Sequence, residues 1–158
     1  MTKPLLFFFA LILLVSLSSQ TADPKPPNPT RSPSPAHTEL TRYGFPIGLL
    51  PSPVENYTVN ALTGDFVVDL GDACKITLPP DNYLATYSKR ITGKINHGRI
   101  AEINGISVRA FYQWWSITGI RSSGENLVFE VGMVTAKYPS KNFIDSPACE
   151  GSRRHSAS

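Results

Sequence analysis

RIAEINGISVRAFYQWW, residues 99–115, decides the fold of this chain. Its β-branched and aromatic residues recur with a period of two, which belongs to a strand and not to a helix. Within it, Asn104-Gly105 is the sharpest turn signal in the sequence, because both central positions of a two-residue type I′ loop need positive φ. The pair predicts a hairpin joining 99–103 to 106–115. Alternation along the second run predicts a core face of Ile106, Val108, Ala110, Tyr112 and Trp114. The other face carries Ser107, Arg109, Phe111, Gln113 and Trp115, and it is more apolar than a water-facing strand needs to be.

Working outward, runs with strand preference recur at 57–59, 65–70, 75–78, 83–88, 91–95, 117–121 and 127–137. Thr63-Gly64-Asp65, Asn96-His97-Gly98 and Ser122-Ser123-Gly124 mark further reversals. In the last run Leu127, Phe129, Val131 and Met133 share a face. Short strands joined by tight turns predict an all-β, mainly antiparallel domain. With apolar residues on both strand faces, the expected form is a closed or partly open β-barrel-like sheet. One short N-terminal helix is expected over 36–43, ending at Gly44, a suitable C-terminal cap.

The flanks differ in composition from this domain. Residues 5–15 are an apolar run of 11 preceded by Lys3 and followed by small residues. That is short of the roughly 20 needed to cross a bilayer and has the layout of a signal peptide, residues 1–18, cut between 18 and 22. Residues 23–35 hold six prolines and almost no aliphatic side chain, so they are expected to be a disordered tether. The polar tail 150–158 is expected to be disordered as well. The domain is then 36–149, and no later run is long enough for a transmembrane segment after leader removal. This places the chain in the secreted or endomembrane-lumen class: extracellular, cell wall or vacuole.

The formal charge is +3, but within residues 42–149 ten Lys/Arg face nine Asp/Glu. A nucleic-acid reader concentrates basic residues on its folded face, so no nucleic-acid partner is expected. Export makes the two cysteines, Cys74 and Cys149, readable as one disulfide closing a loop of about 75 residues, worth roughly 4 to 5 kcal/mol by chain entropy.

No Gly-x-Ser-x-Gly elbow is present, His97 sits in a turn, and His37 and His155 lie in what read as flexible flanks. No His/Cys spacing suits zinc, and Asp65, Asp69 and Asp72 lack the further ligands of a calcium loop. No catalytic residue, metal site or cofactor is therefore nominated. Asn56-Tyr57-Thr58 makes Asn56 a glycosylation candidate. Arg109, Phe111 and Trp115 are ligand-groove candidates, with the aromatics lining an apolar groove and Arg109 holding an anionic or polar head group.

Several segments resemble the plant family called domain of unknown function 538: Gly44-Phe45-Pro46-Ile47-Gly48-Leu49-Leu50-Pro51, Lys89 to Ile95 followed by Gly98, Gly105-Ile106, Trp114 with Thr118-Gly119-Ile120, Phe129 to Gly132, and the closing stretch from Phe143 to Cys149. The resemblance implies a compact β-barrel-like domain, a signal peptide in many members, and links to stress and development. It implies no agreed activity, although a comparison with lipid-binding proteins and a chlorophyll-degrading hydrolase role have been put forward for the family. The expected function is a non-enzymatic module for a small amphipathic ligand, lipid- or pigment-like. An ester hydrolase acting on a chlorophyll-type substrate and a cell-wall or luminal protein-interaction module are the alternatives, and the oligomeric state is left open.

Overall fold

The computed structural model describes residues 33–78 and 80–150. Residues 1–32, where a leader and most of a proline-rich tether were expected, and residues 151–158 of the expected polar tail lie outside the described residues. Ser34 stands at the N-cap of helix α1 (Pro35–Arg42), whose first residue is the proline that fits that position without losing a needed donor. At the other end Gly44, at φ +87°, donates to the Thr41 carbonyl at 3.0 Å, and Phe45 donates to that of Leu40 at 3.2 Å. This paired closure, with Leu40 and Phe45 both packed into the core, is a Schellman motif. A 3-10 turn over Ile47–Leu49 follows.

The described residues then form eight strands: β1 (Asn56–Val59), β2 (Asp65–Asp69), β3 (Cys74–Leu78), β4 (Tyr83–Asn96), β5 (Arg99–Ala110), β6 (Gln113–Ser123), β7 (Asn126–Val131) and β8 (Val134–Pro139). All pair antiparallel in one sheet ordered β1-β2-β4-β5-β6-β7-β8. The 14-residue β4 carries two short strands along one edge, β2 on its second half and β3 on its first. The sheet does not close on itself, so the domain is all-β and partly open, with α1 packed at one end.

The core lies on the inner face. Ala85, Tyr87, Ile91 and Ile95 of β4 meet Ile100 and Ile103 of β5, Ile117 and Ile120 of β6, and Leu127 and Phe129 of β7, all buried. Burial of the Tyr87 ring pushes its phenol well above the ordinary range, and the hydroxyl donates to the Leu49 carbonyl at 3.1 Å. The disulfide Cys74–Cys149 is formed, with its Cα atoms 5.2 Å apart. It brings the chain's end to β3, where the Glu150 amide donates to the Lys75 carbonyl at 2.8 Å.

The hairpin expected at Asn104-Gly105 does not form. β5 runs straight through the pair, with Thr92 opposite Asn104 and Tyr87 opposite Ile106. The positive φ of Gly105, +109°, serves an irregularity in the strand instead, together with Glu102 at +52°. A Cβ at Gly105 would stand 2.8 Å from the Arg90 carbonyl, so close backbone approach also demands glycine here. The chain reverses later, at Phe111-Tyr112, whose φ values of +51° and +64° give the type I′ pattern on residues with no propensity for it.

This shift overturns the predicted faces. With the turn at 111–112, Trp115 lies opposite Val108, and Trp114 lies opposite Arg109. Trp115 therefore joins Val108 on the inner face, while Trp114, expected in the core, is 50% exposed on the outer one beside Arg109. Apolar character on both faces came from reading two strands as one. The outer face of β5 and β6 carries Ser107, Arg109, Ser116, Thr118 and Arg121.

His37 is also placed differently from its reading as part of a flexible flank. It lies within α1 and is only 2% exposed. Its Nδ1 is 2.6 Å from Ser34 Oγ, and its Nε2 is 2.9 Å from Ser146 Oγ and 3.1 Å from the Leu50 carbonyl, to which Ser146 Oγ donates at 2.6 Å. With Nε2–H donating and Nδ1 accepting from the Ser34 hydroxyl, every one of these groups has a partner, as burial requires. The cluster fastens the N-terminal helix to the segment before the disulfide.

Candidate ligand-binding site

Three turns meet at one end of the sheet. They are the β3–β4 connection, the Phe111-Tyr112 turn and the β7–β8 turn at Gly132-Met133, where Gly132 at φ +61° supplies the glycine-first form of a two-residue loop. Beneath them opens a cavity of about 320 Å³. Its walls come from Val108 and Ala110 of β5, Trp115 and Ile117 of β6, Phe129 and Val131 of β7, and Ala136 and Tyr138 of β8. Phe111 stands at the mouth and Phe143 at the floor, against the Phe129 ring at 5.4 Å between centroids. The alternation of each strand brings one apolar residue in two to this space, and the bend of the open sheet leaves it unfilled.

Polar groups at the cavity are few. The Trp115 Nε1 donates to the Ala110 carbonyl at 3.2 Å, which satisfies the indole and leaves the ring face to the cavity. The hydroxyls of Tyr83 and Tyr138 are the polar tips of the lining. Desolvation raises the Tyr138 phenol above its ordinary value, with Tyr83, the Asp81 charge and a hydrogen bond to Asp81 adding to the effect. The site is thus an apolar chamber with one phenolic edge beside the Asp81 carboxylate.

Of the three groove candidates, Phe111 and Trp115 both line this cavity, and Arg109 does not. Arg109 lies on the outer face because it pairs with Trp114 across the hairpin. Asn56 is exposed at the start of edge strand β1, its Oδ1 accepting from the Tyr57 amide at 2.9 Å. Among the described residues no three His, Cys, Asp or Glu side chains converge as a metal site requires. Asp69 pairs with Arg90 at 3.1 Å, and Asp65 stands 3.9 Å from Lys94. His97 is exposed in the β4–β5 turn, its ring over Gly44. A second void, about 80 Å³ beneath α1, is too small for an organic ligand and lies in the packed core.

The far wall of the cavity, Tyr83, Ala136, Tyr138 and Phe143, was missed by sequence reasoning. Gly132 was the available signal. Read as a turn, it splits 127–137 into two strands and brings Val134, Ala136 and Tyr138 onto the inner face.

The family model described as a protein of unknown function, DUF538, matches residues 36–144, which spans α1 and all eight strands. The chain belongs to the DUF538 family. A plant relative, the uncharacterized protein At5g01610 of Arabidopsis thaliana, is 24% identical over 94 residues, covering 60% of this chain and 54% of its own. The chain therefore spans about half the length of that curated relative. Every strand that walls the cavity falls inside the DUF538 match.

Proposed function

We propose that this DUF538 domain holds a small amphipathic molecule, lipid- or pigment-like, within the tip cavity and performs no chemistry on it. The supporting observation is the cavity itself. At about 320 Å³ it falls in the size range of small-molecule sites, and apolar side chains line it with two phenols at one edge. Such a chamber takes an acyl or ring body by burial, with an ester oxygen accepting from the Tyr83 hydroxyl or a ligand hydroxyl donating to the Tyr138 oxygen. The secretory reading of the leader and the formed Cys74–Cys149 disulfide together support an oxidising compartment for this binding.

The hydrolase alternative needs a histidine working on a hydroxyl at a cavity. Ser146 and His37 are in contact, but Ser146 Oγ already donates to a carbonyl, and neither residue lines the cavity. His97 makes no side-chain hydrogen bond among the described residues. These observations support binding over catalysis.

The test uses the full chain and cis-parinaric acid, a fluorescent amphipathic fatty acid. Saturable binding with one site per chain is expected, weakened at least tenfold by Ala136→Trp, which fills the chamber opposite Phe129. Absence of saturable binding by the unaltered chain, or equal binding by the variant, overturns the proposal.

A further inference from the structure

The same end of the sheet carries an exposed apolar crown, of which the cavity accounts for Phe111 and Val134 but not for Tyr112, Met133 or Trp114. Tyr112 is 95% exposed, Met133 103%, Phe111 84% and Val134 61%, and Trp114 stands half-exposed behind them. All belong to two adjacent hairpin tips, since the nearest atom to a Cβ built on Gly132 is in the Trp115 ring at 4.0 Å. Contiguous large apolar side chains at protruding turns mark an interaction surface and not a stable water-facing one. Tyr112 and Met133 line neither cavity. The backbone adopts two unfavourable φ angles in succession to present Phe111 and Tyr112 there.

Charge indicates what covers the crown. From Gly105 to Thr118 and from Val131 to Tyr138 the two hairpins carry Arg109 and Lys137 and no acidic residue. Both cations are exposed, and neither enters an ion pair among the described residues. Asp81, on the third turn of this end and close enough to raise the Tyr138 phenol, is exposed and is the one acidic residue there, so two cations face one carboxylate and the end is left net positive. A strand advances about 3.4 Å per residue, so Arg109 lies roughly 7 Å behind Phe111 and Lys137 roughly 10 Å behind Val134. An interfacial segment buries its apolar part about 5–10 Å below the headgroups, which sets both cations at headgroup level when the tips are immersed. Tyr112 and Trp114 combine an apolar body with a polar end, the character that suits side chains to the membrane–water interface. A second copy of this chain would bring Arg109 and Lys137 against themselves, and a protruding convex tip fits a fluid that moulds around it.

We infer that the Phe111-Tyr112 and Gly132-Met133 hairpin tips dock on the surface of an anionic lipid bilayer, with Arg109 and Lys137 at the headgroups. This reading goes beyond the proposed function and stands with the cavity empty.

The chain's two tryptophans, Trp114 and Trp115, both lie at this tip, so their emission reports docking directly. The apolar residues 5–15 contain no tryptophan, and quenching therefore reads the tip whatever else brings the chain to a vesicle. The full chain is mixed with phosphatidylcholine vesicles, with and without phosphatidylserine, whose acyl chains carry bromine. Expected are tryptophan quenching and a blue shift that are at least fivefold stronger with phosphatidylserine. Tyr112→Gly with Met133→Ser is expected to reduce the quenching at least fivefold at unchanged melting temperature or above, because glycine suits the turn position and Met133 packs on nothing. Arg109→Gln is expected to lower only the phosphatidylserine-dependent part. No quenching by either vesicle, quenching indifferent to the double substitution, or a dimer in lipid-free solution that the double substitution dissociates overturns the inference. Loss of parinaric acid binding with tip quenching intact overturns the cavity reading alone.

Discussion

Replacing Phe111 by Asn and Tyr112 by Gly should make the domain more stable, although it deletes two aromatic rings. Both residues hold positive φ, +51° and +64°, and a residue with a Cβ is roughly 1–2 kcal/mol worse there than in its preferred region. Asn-Gly is the pair that this turn geometry favours; glycine relieves about 1.5 kcal/mol at 112, and asparagine, which keeps its Cβ but tolerates the left-handed region, relieves about half of that at 111, for roughly 2.3 kcal/mol together. Little packing is lost, because Phe111 is 84% and Tyr112 95% exposed. For rings that bury about 200 Å² at most, the forfeited contact is roughly 40 Å², or about 1 kcal/mol at 25 cal/mol per Å². Glycine adds about 0.7 kcal/mol of unfolded-chain entropy. The net gain is about 0.6 kcal/mol, read as a melting temperature about 2 °C higher by calorimetry of the full chain with its disulfide intact. A lower melting temperature would mean that these rings carry structural weight that their exposure denies.

Gly48→Ala should cost about 3 kcal/mol, because the new Cβ would run into the Phe143 carbonyl and stand 2.7 Å from that of Asp145; urea denaturation reads this as a lower midpoint at constant slope. Replacing Cys74 and Cys149 by serine should lose about 4 kcal/mol, with reduction of the unaltered chain reproducing the loss. Burial raises the Tyr87 phenol, so the folded state holds that proton where the unfolded chain, near pH 10, releases it. Stability from this group is complete below pH 10 and should fall above it by about 1.4 kcal/mol per pH unit. Tyr87→Phe should remove that alkaline slope, at a cost of about 1 kcal/mol at neutral pH for the hydrogen bond to Leu49.

Fold class was legible because alternation survives local errors. Val108, Ile117, Phe129 and Val131 read as strand interiors whichever turn joins them. Gly44, Gly64, Gly98 and Gly124 marked real reversals, since each has positive φ at a chain turn. Asn104-Gly105 misled for a physical reason. Ile103 and Ile106 both point into the core, and keeping β5 paired with β4 on each side of the glycine outweighs a local preference for turning. Phe111-Tyr112 carries no turn propensity at all, and its geometry follows from long-range pairing of Arg109 with Trp114 and Ala110 with Gln113. Missing that reversal set Arg109 and Trp115 on one face, whereas the structure puts Trp115 on the cavity side opposite Val108 and Arg109 on the outer side opposite Trp114. His37 was illegible because its partners, Leu50 and Ser146, lie 13 and 109 residues away.

The His37 cluster has a mechanical consequence. It joins the start of the folded body at Ser34 to its end near Ser146, and the sulfur bridge follows three residues later. Tension on the N-terminal flank would therefore load this clasp first, while tension on the C-terminal flank would pass through the sulfur bridge into β3 and leave the clasp shielded behind a covalent bond.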